Sequence, residues 1–147
     1  MKIKVLLADD HKIIRDGLKS LIAREEDIEI VGEAENGRSA VRLAKKLHPE
    51  IVVMDVSMPD MNGIEATKKI TEKVPGARVI GLSMYSEKRF ISQMFDAGAT
   101  GYLPKDCAFE ELADAIRSVH SNKIYLNLKC GSRKVAKSRN QRSPEAI

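Results

Sequence analysis

The sequence is poor in cysteine and aromatic residues, and it has no long apolar run. Its 147 residues include two cysteines, no tryptophan, three tyrosines and three phenylalanines. The two cysteines, Cys107 and Cys130, are too few for a disulfide framework and lack metal-ligand spacing. No apolar run approaches the roughly 18 residues that a membrane span needs, and the first residues do not form a signal peptide. We therefore expect a cytoplasmic protein with no membrane partner.

Charge is distributed unevenly along the chain. Residues 1–122 contain 18 Lys or Arg and 20 Asp or Glu, whereas residues 123–147 contain seven basic residues and one acidic residue. The net charge of +4 therefore comes from the carboxyl-terminal segment. The length is that of about one domain of roughly 100–150 residues. We predict one domain over residues 1–122, followed by a basic segment with a different role.

Strand-like apolar runs alternate with helix-like segments over residues 3–120. Strands are predicted at 3–8, 28–34, 51–54, 79–82 and 99–103, with a last helix through residues 109–119. Apolar strands that alternate with helices are typical of a parallel sheet covered on both faces. Five strands are too few for a barrel of eight. The prediction is an α/β fold with a doubly wound, five-stranded parallel sheet of order 2-1-3-4-5.

Polar side chains follow the predicted strands at their carboxyl ends, where open α/β sheets bind ligands. They are Asp9 and Asp10 after the first strand, Asp55 after the third, Ser83 after the fourth and Lys105 after the fifth. Three neighbouring carboxylates raise one another's pKa unless a cation lies among them. A set of oxygen ligands favours Mg²⁺ over Zn²⁺. The pattern therefore predicts a magnesium site at this edge of the sheet.

Other chemistries find less support in the sequence. The first strand is not followed by a glycine-rich phosphate loop, which argues against a nucleotide or flavin site. No Ser-His-Asp or Cys-His set can be assembled, and we interpret His11, His48 and His120 as solvated surface residues. A carboxylate near a divalent cation, a lysine and a hydroxyl group is instead suited to accepting a phosphoryl group.

Four motifs resemble the receiver domain of bacterial two-component response regulators. They are ADDH at 8–11, MDVSMPDMNG at 54–63, LSM at 82–84 and GATGYLPKD at 98–106. The resemblance covers about residues 3–121, and its details are similar to the subfamily with a LuxR/FixJ-type helix-turn-helix output. It implies a flavodoxin-like receiver fold and a phosphorylation switch served by a sensor histidine kinase. It does not imply a turnover enzyme.

The resemblance also implies roles for individual residues. Asp55 matches the phosphoacceptor, and Ser83 and Lys105 match the residues that contact the phosphoryl group. The Mg²⁺ ligands would be Asp9, Asp10, Asp55 and the backbone carbonyl of Ser57. Tyr102 matches the aromatic residue that turns inward on activation, although a buried structural tyrosine is an equal alternative.

One departure from the family pattern concerns Lys105. Many receivers have a proline directly after this lysine, joined by a cis peptide bond. Here Pro104 precedes Lys105 and Asp106 follows it. A cis bond to Asp106 would be a costly non-proline one, so the sequence leaves the isomer of this bond open.

Self-association is a further implication of the resemblance, in the form of a phosphorylation-dependent homodimer. In the first predicted helix, polar residues including Arg15 occupy one side. The apolar residues exceed what one core-facing stripe needs, and they are Ile13, Leu18, Leu21 and Ile22. The last helix adds Ile116 and Val119. Ordinary packing of helices on a sheet is the alternative explanation for these residues.

Only 25 residues follow Asn122, fewer than the roughly 50 that a small domain needs. Ser143 and Pro144 match the cap and first position of a helix. We therefore expect residues 123–147 to form a basic linker and the start of a truncated DNA-binding output domain. DNA is expected to bind through the missing part and not through this fragment, because contacts from basic residues to phosphates carry no sequence information.

Two other functions stay open at this point. A stand-alone receiver whose phosphorylated face binds a protein would carry the same motifs, and a flavodoxin-like enzyme or cofactor carrier would have the same sheet. The missing phosphate loop and the complete Asp, Ser and Lys set count against the enzyme. The basic tail favours a receiver with an output domain over a stand-alone receiver.

Overall fold

Strands and helices alternate from Ile3 to His120, as the apolar pattern predicts. The computed structural model describes residues 2–84 and 88–127, together with the backbone of residues 133–137. Its elements are β1 (Ile3–Ala8), α1 (Lys12–Ile22), β2 (Ile28–Ala34), α2 (Gly37–Leu47), β3 (Ile51–Asp55), α3 (Gly63–Lys73), β4 (Arg78–Ser83), α4 (Lys88–Asp96), β5 (Gly101–Pro104), α5 (Lys105–His120), β6 (Lys123–Asn127) and β7 (Arg133–Lys137).

The predicted order of the five parallel strands is confirmed, but the sheet is wider than predicted. Its order is β2-β1-β3-β4-β5-β6-β7. Strand β6 pairs in parallel with β5, and β7 pairs antiparallel with β6. Asn122, with a φ of 65°, turns the chain after α5, and the amide of Tyr125 then donates to the carbonyl of Thr100. The first residues after position 122 therefore extend the sheet.

The core has two layers, one on each face of the sheet. Successive residues of a strand point to opposite faces, so Val5 and Leu7 of β1 pack towards α1 and α5, whereas Leu6 and Ala8 pack towards α2, α3 and α4. Every residue of β3 is buried. Because β1 and β3 are interior strands with a packed layer on each face, their carboxyl ends are held from both sides.

The start of α3 fixes the loop that follows β3. The side chain of Asn62 accepts a hydrogen bond from the amide of Glu65 and so caps the helix. The amide of Gly63 donates to the carbonyl of Val56. A Cβ atom at Gly63 would lie 2.0 Å from the backbone oxygen of Asp55, so only glycine allows this close approach. The loop is thereby held against the end of β3.

Several smaller predictions can be compared with the structure. The described residues contain no cis peptide bond, so the bond between Lys105 and Asp106 is trans. Cys107 is buried in α5 and takes part in a disulfide, which is a single bridge rather than a framework of several. Cys130, Ser143 and Pro144 lie outside the described residues. Among the described helices, none is long and apolar enough to cross a membrane.

Candidate functional site

The carboxyl ends of β1, β3, β4 and β5 bring the predicted site residues to one edge of the sheet. Asp9, Asp55, Ser83 and Lys105 are buried there. Asp10 is more open, with 31% of its side chain exposed. Buried charged groups are rare in proteins unless they are paired. The concentration of such groups at one edge therefore marks it as the candidate site.

Lys105 lies between two buried carboxylates. Its Nζ atom donates a 2.9 Å hydrogen bond to Oδ2 of Asp55 and lies 2.9 Å from Oδ2 of Asp9. The second contact has ion-pair distance but not hydrogen-bond alignment, so Asp9 Oδ2 accepts no hydrogen bond from the described residues. An ammonium group at the start of a helix opposes the helix dipole. The two carboxylates offset this cost and neutralise the charge of the ammonium group.

Asp55 is held by both of its oxygens. Oδ1 accepts a 3.2 Å hydrogen bond from the amide of Ser57, and Oδ2 accepts the bond from Lys105. Burial raises the pKa of Asp55 to about 7, and the charge of Asp9 adds to the increase, while the hydrogen bond and charge of Lys105 act against it. A buried carboxylate with a perturbed pKa beside a specific cation is typical of a functional site.

His11 is exposed, as predicted, but its ring also contacts the site. Its Nδ1 atom lies 3.0 Å from Oδ1 of Asp9, 3.2 Å from Oδ1 of Asp10 and 3.1 Å from Nζ of Lys105. The imidazole ring is half-exposed, so part of it faces solvent while Nδ1 contacts the carboxylates. His120 also has a partner, since its Nε2 atom lies 2.8 Å from Oε2 of Glu50 at the opposite end of the sheet.

Four side chains at this edge offer ligand atoms that all lie within 4.8 Å of one another. They are Asp9, Asp10, His11 and Asp55. The three carboxylates predicted to hold Mg²⁺ are thus together. Ser57 lines, with Asp10, an adjoining cavity of about 470 Å³. The role predicted for its carbonyl stays a prediction.

Ser83 and Tyr102 lie on the neighbouring strands β4 and β5. Ser83 is 4% exposed and pairs in register with Pro104, one residue before Lys105. Tyr102 is fully buried, and a Cβ atom at Gly81 would lie 3.5 Å from its ring. The aromatic side chain therefore occupies an inward position. A movement of Tyr102 on activation stays a prediction.

Comparison with known proteins agrees with this geometry. The profile of the response regulator receiver domain matches residues 5–117. The transcriptional regulatory protein DegU of Brevibacillus brevis is 34% identical over 128 residues, which are 87% of this chain and 54% of DegU. The chain thus spans about half the length of the curated relatives that it matches.

Solved structures show the same fold. A two-component response regulator of the LuxR family from Aurantimonas sp. SI85-9A1 is 36% identical with a TM-score of 0.78, covering 82% of this chain and 86% of that one. The isolated receiver domain of RcsB from Salmonella enterica serovar Typhimurium, solved with the phosphomimetic BeF₃⁻, is 26% identical with a TM-score of 0.78, covering 86% and 94%. The matched motifs, the sheet order and the acidic edge agree, and this chain belongs to the response regulator receiver domain family.

Proposed function

We propose that Asp55 accepts a phosphoryl group from a histidine of a sensor kinase, and that the chain acts as the phosphorylation switch of a two-component system. The observation that carries the proposal is the position of Asp55. Its carboxylate is buried between the ammonium group of Lys105 and the carboxylates of Asp9 and Asp10. A nucleophile needs this kind of fixed, charge-compensated setting for phosphoryl transfer.

The transfer forms one bond and breaks one. An oxygen of Asp55 bonds to phosphorus while the nitrogen–phosphorus bond of the phosphohistidine breaks, and the leaving nitrogen keeps the bonding electron pair. Lys105, already 2.9 Å from Oδ2 of Asp55, offsets negative charge on the transferred group. The hydroxyl group of Ser83 donates to a phosphoryl oxygen. Because the product stays on Asp55, the chain acts as a phosphoacceptor rather than a turnover enzyme.

The carboxylates fit a hard divalent cation such as Mg²⁺. Asp9, Asp10 and Asp55 would hold the ion, and Asp9 contributes a buried oxygen that accepts no hydrogen bond from the described residues. Such an ion, when bound, supplies positive charge that stabilises the phosphoryl oxygens. In its absence, the ammonium group of Lys105 supplies the compensating charge.

Intact-mass analysis after incubation with phosphoramidate and Mg²⁺ tests the proposal. One added phosphoryl group is expected in the wild-type chain, and none in Asp55→Asn or after addition of EDTA. Asp10→Asn is expected to lose most of the uptake. Asp60→Asn is the matched control, because Asp60 lies on the same loop but pairs with Arg38 at the surface. Uptake by Asp55→Asn at the wild-type rate would contradict the assignment.

For the whole protein we propose a cytoplasmic transcription regulator that binds DNA through an output domain outside this chain. The name of DegU and the LuxR-family relative support this proposal. Lys123–Asn127 and Arg133–Lys137 belong to the sheet, so the residues after position 137 would form the basic connection to that domain. A gel-shift titration of this chain against specific and scrambled DNA at two salt concentrations should show only weak, salt-sensitive binding. Sequence-selective binding by this chain alone would contradict the proposal.

We also propose that phosphorylation promotes a homodimer through α1 and α5. Ile13 is 87% exposed and Phe109 is 44% exposed, and each is a large apolar side chain on one of these helices. Leu18 and Ile22 are buried against the sheet, and Ile116 and Val119 of α5 are also in the core, so these residues have ordinary packing roles. Sedimentation with and without BeF₃⁻ should show a dimer only with BeF₃⁻. Ile13→Ser should weaken it, and a strict monomer in both conditions would contradict the proposal.

A further inference from the structure

We propose that His11 is a nitrogen ligand of the divalent cation at this site, and that it shifts the preference of the site from Mg²⁺ towards first-row transition metals such as Co²⁺ and Ni²⁺. The inference rests on the proposed metal site, to which it adds a ligand. It concerns a residue outside the carboxylate set of Asp9, Asp10 and Asp55. A site with this nitrogen ligand favours a different class of metal ion from a site that binds Mg²⁺ through oxygen atoms alone.

The spacing of the ligand atoms supports a shared ion. Two ligands at about 2.1 Å from an octahedral ion lie about 3.0 Å apart when adjacent and about 4.2 Å apart when opposite. His11 Nδ1 lies 3.0 Å from Asp9 Oδ1 and 3.2 Å from Asp10 Oδ1, which are distances between adjacent ligands. It lies 3.9 Å from Asp55 Oδ2, between the two limits. One ion can therefore contact all four side chains once the ammonium group of Lys105, which lies 3.1 Å from Nδ1 and 2.9 Å from Asp55 Oδ2, moves away.

The backbone holds the imidazole ring towards the carboxylates. His11 precedes the first residue of α1, a position at which side chains commonly cap the helix. It makes no such cap. Its amide instead donates a 2.8 Å hydrogen bond to Oδ1 of Asp9, and its carbonyl accepts from the amide of Arg15. The residue is thus fixed on both sides by its backbone, and its side chain is available to the site.

The chemistry of nitrogen ligands gives the expected selectivity. Carboxylate, carbonyl and water ligands suit Mg²⁺, whereas imidazole suits Ni²⁺, Zn²⁺ and other transition metals. Divalent transition metals also bind to carboxylate oxygens, so their binding to the wild-type chain alone is not informative. The informative quantity is the change in the affinity for Ni²⁺ relative to Mg²⁺ when the imidazole is removed.

The first test is calorimetric titration of tag-free, chelator-treated protein with NiCl₂ and with MgCl₂. His11→Gln is expected to weaken Ni²⁺ binding about tenfold or more, with little change for Mg²⁺. His48→Gln is the matched control, because His48 is exposed at the end of α2 and is not in the ligand cluster. Equal Ni²⁺ affinity in His11→Gln and wild type would overturn the inference.

A spectroscopic measurement separates direct ligation from an effect on the carboxylates. The electron spin echo of bound Mn²⁺ should show modulation from a ¹⁴N nucleus in the wild-type chain, and the modulation should be lost in His11→Gln. Absence of this modulation in the wild-type chain would overturn the inference. Asp10→Asn separates a failure of the His11 inference from a failure of the proposed metal site. If Asp10→Asn binds Mg²⁺ as tightly as the wild type does, the proposed metal site is contradicted, whichever result His11→Gln gives.

Discussion

The guanidinium group of Arg15 donates a 2.6 Å hydrogen bond to the backbone carbonyl of Asp9 from inside the fold. Arg15 is 6% exposed, and its Nε atom also donates to Oε1 of Glu33 on β2. The amide of Asp9 in turn donates to the carbonyl of Ala34 at the end of β2. Arg15 therefore joins α1 to the ends of both strands, and it holds the backbone from which the acidic site projects.

Replacement of Arg15 by methionine should loosen this junction. Methionine keeps much of the apolar stem but removes the donor to Asp9 and one of the two partners of Glu33, which still pairs with Lys19. The expected loss in the free energy of unfolding is about 1–3 kcal/mol, because a buried carbonyl loses its donor and a partly buried carboxylate loses one of its two partners. Phosphorylation of Asp55 should also slow, since the acidic loop is less well positioned. Urea unfolding and the time course of intact mass measure the two effects.

The matched control for Arg15 is Lys12→Met on the same helix. Lys12 pairs with Asp16, and both side chains are largely exposed. Exposed pairs of this kind contribute about 0–1 kcal/mol. Lys12→Met should therefore change neither unfolding nor phosphorylation appreciably. If Arg15→Met behaves like this control, the hydrogen bond to Asp9 has no positioning role.

A second prediction follows from the raised pKa of Asp55. In the unfolded chain an aspartate titrates near its usual value of about 3.9, whereas burial raises the pKa of Asp55 in the folded chain to about 7. Between these values the folded state binds more protons than the unfolded state, so Asp55 makes the free energy of unfolding fall as pH rises. Without metal, Asp55→Asn should therefore gain stability over the wild type from pH 4.5 to 7.5, by on the order of 1–4 kcal/mol.

The comparison of wild type with Asp55→Asn removes the effect of other carboxylates. The pKa values of Glu33 and Glu50 are lowered by hydrogen bonds from Lys19 and His120, so these groups have the opposite pH dependence. They are present in both chains, and their contributions cancel in the difference. Denaturant titrations at several pH values in EDTA give the result. A difference that does not change with pH would show that burial of Asp55 does not govern its titration.

The sequence predicted those residues of the site that lie at the carboxyl ends of strands. Asp9, Asp55, Ser83 and Lys105 each follow or end an apolar strand, and parallel strands bring such positions together. The burial of Arg15 was not predicted, because its spacing in α1 placed it on the polar side of the helix. That side faces the end of β2, so the residue is buried by a contact that helical periodicity alone cannot show.

His11 and β6 were missed for related reasons. A histidine beside two aspartates at the end of a strand is a usable signal, but side-chain direction depends on the loop backbone rather than on residue type. Strand β6 begins with a lysine and ends with an asparagine, so only three successive residues are apolar, and its sequence neighbours are polar. Its placement depends on the long-range contact of Tyr125 with the core beside β5.

A third prediction concerns the attachment of β6 to α5. The hydroxyl group of Tyr125 and the side-chain amide of Asn127 both donate to Oε1 of Glu111. Glu111→Ala should remove the acceptor that these two donors share, at a cost of about 1–3 kcal/mol. Hydrogen exchange should then accelerate at the amide of Tyr125, which bonds to the carbonyl of Thr100.

The control for this prediction is the adjacent Glu110→Ala. Glu110 is exposed on the same helix, so its loss should leave the exchange rate of the Tyr125 amide unchanged. Equal acceleration in both variants would indicate a general effect on α5. No acceleration in Glu111→Ala would show that the hydrogen bonds to Glu111 do not hold β6 in the sheet.

The last prediction tests how closely α3 supports Asp55. A Cβ atom at Gly63 would lie 2.0 Å from the backbone oxygen of Asp55, a distance that forces α3 to move away from the end of β3. Gly63→Ala should therefore reduce the free energy of unfolding by about 1–3 kcal/mol or more and slow phosphorylation, because the loop carrying Ser57 shifts with the helix.

Gly76→Ala is the control: its φ of 89° is unfavourable for alanine, but no atom lies within 4 Å of the added Cβ. We expect that variant to lose about 1–2 kcal/mol from backbone strain while it phosphorylates at the wild-type rate. Unfolding and intact-mass measurements on both variants separate a local effect on Asp55 from a general loss of stability, and equal phosphorylation rates would show that contact with Gly63 does not position the phosphoacceptor.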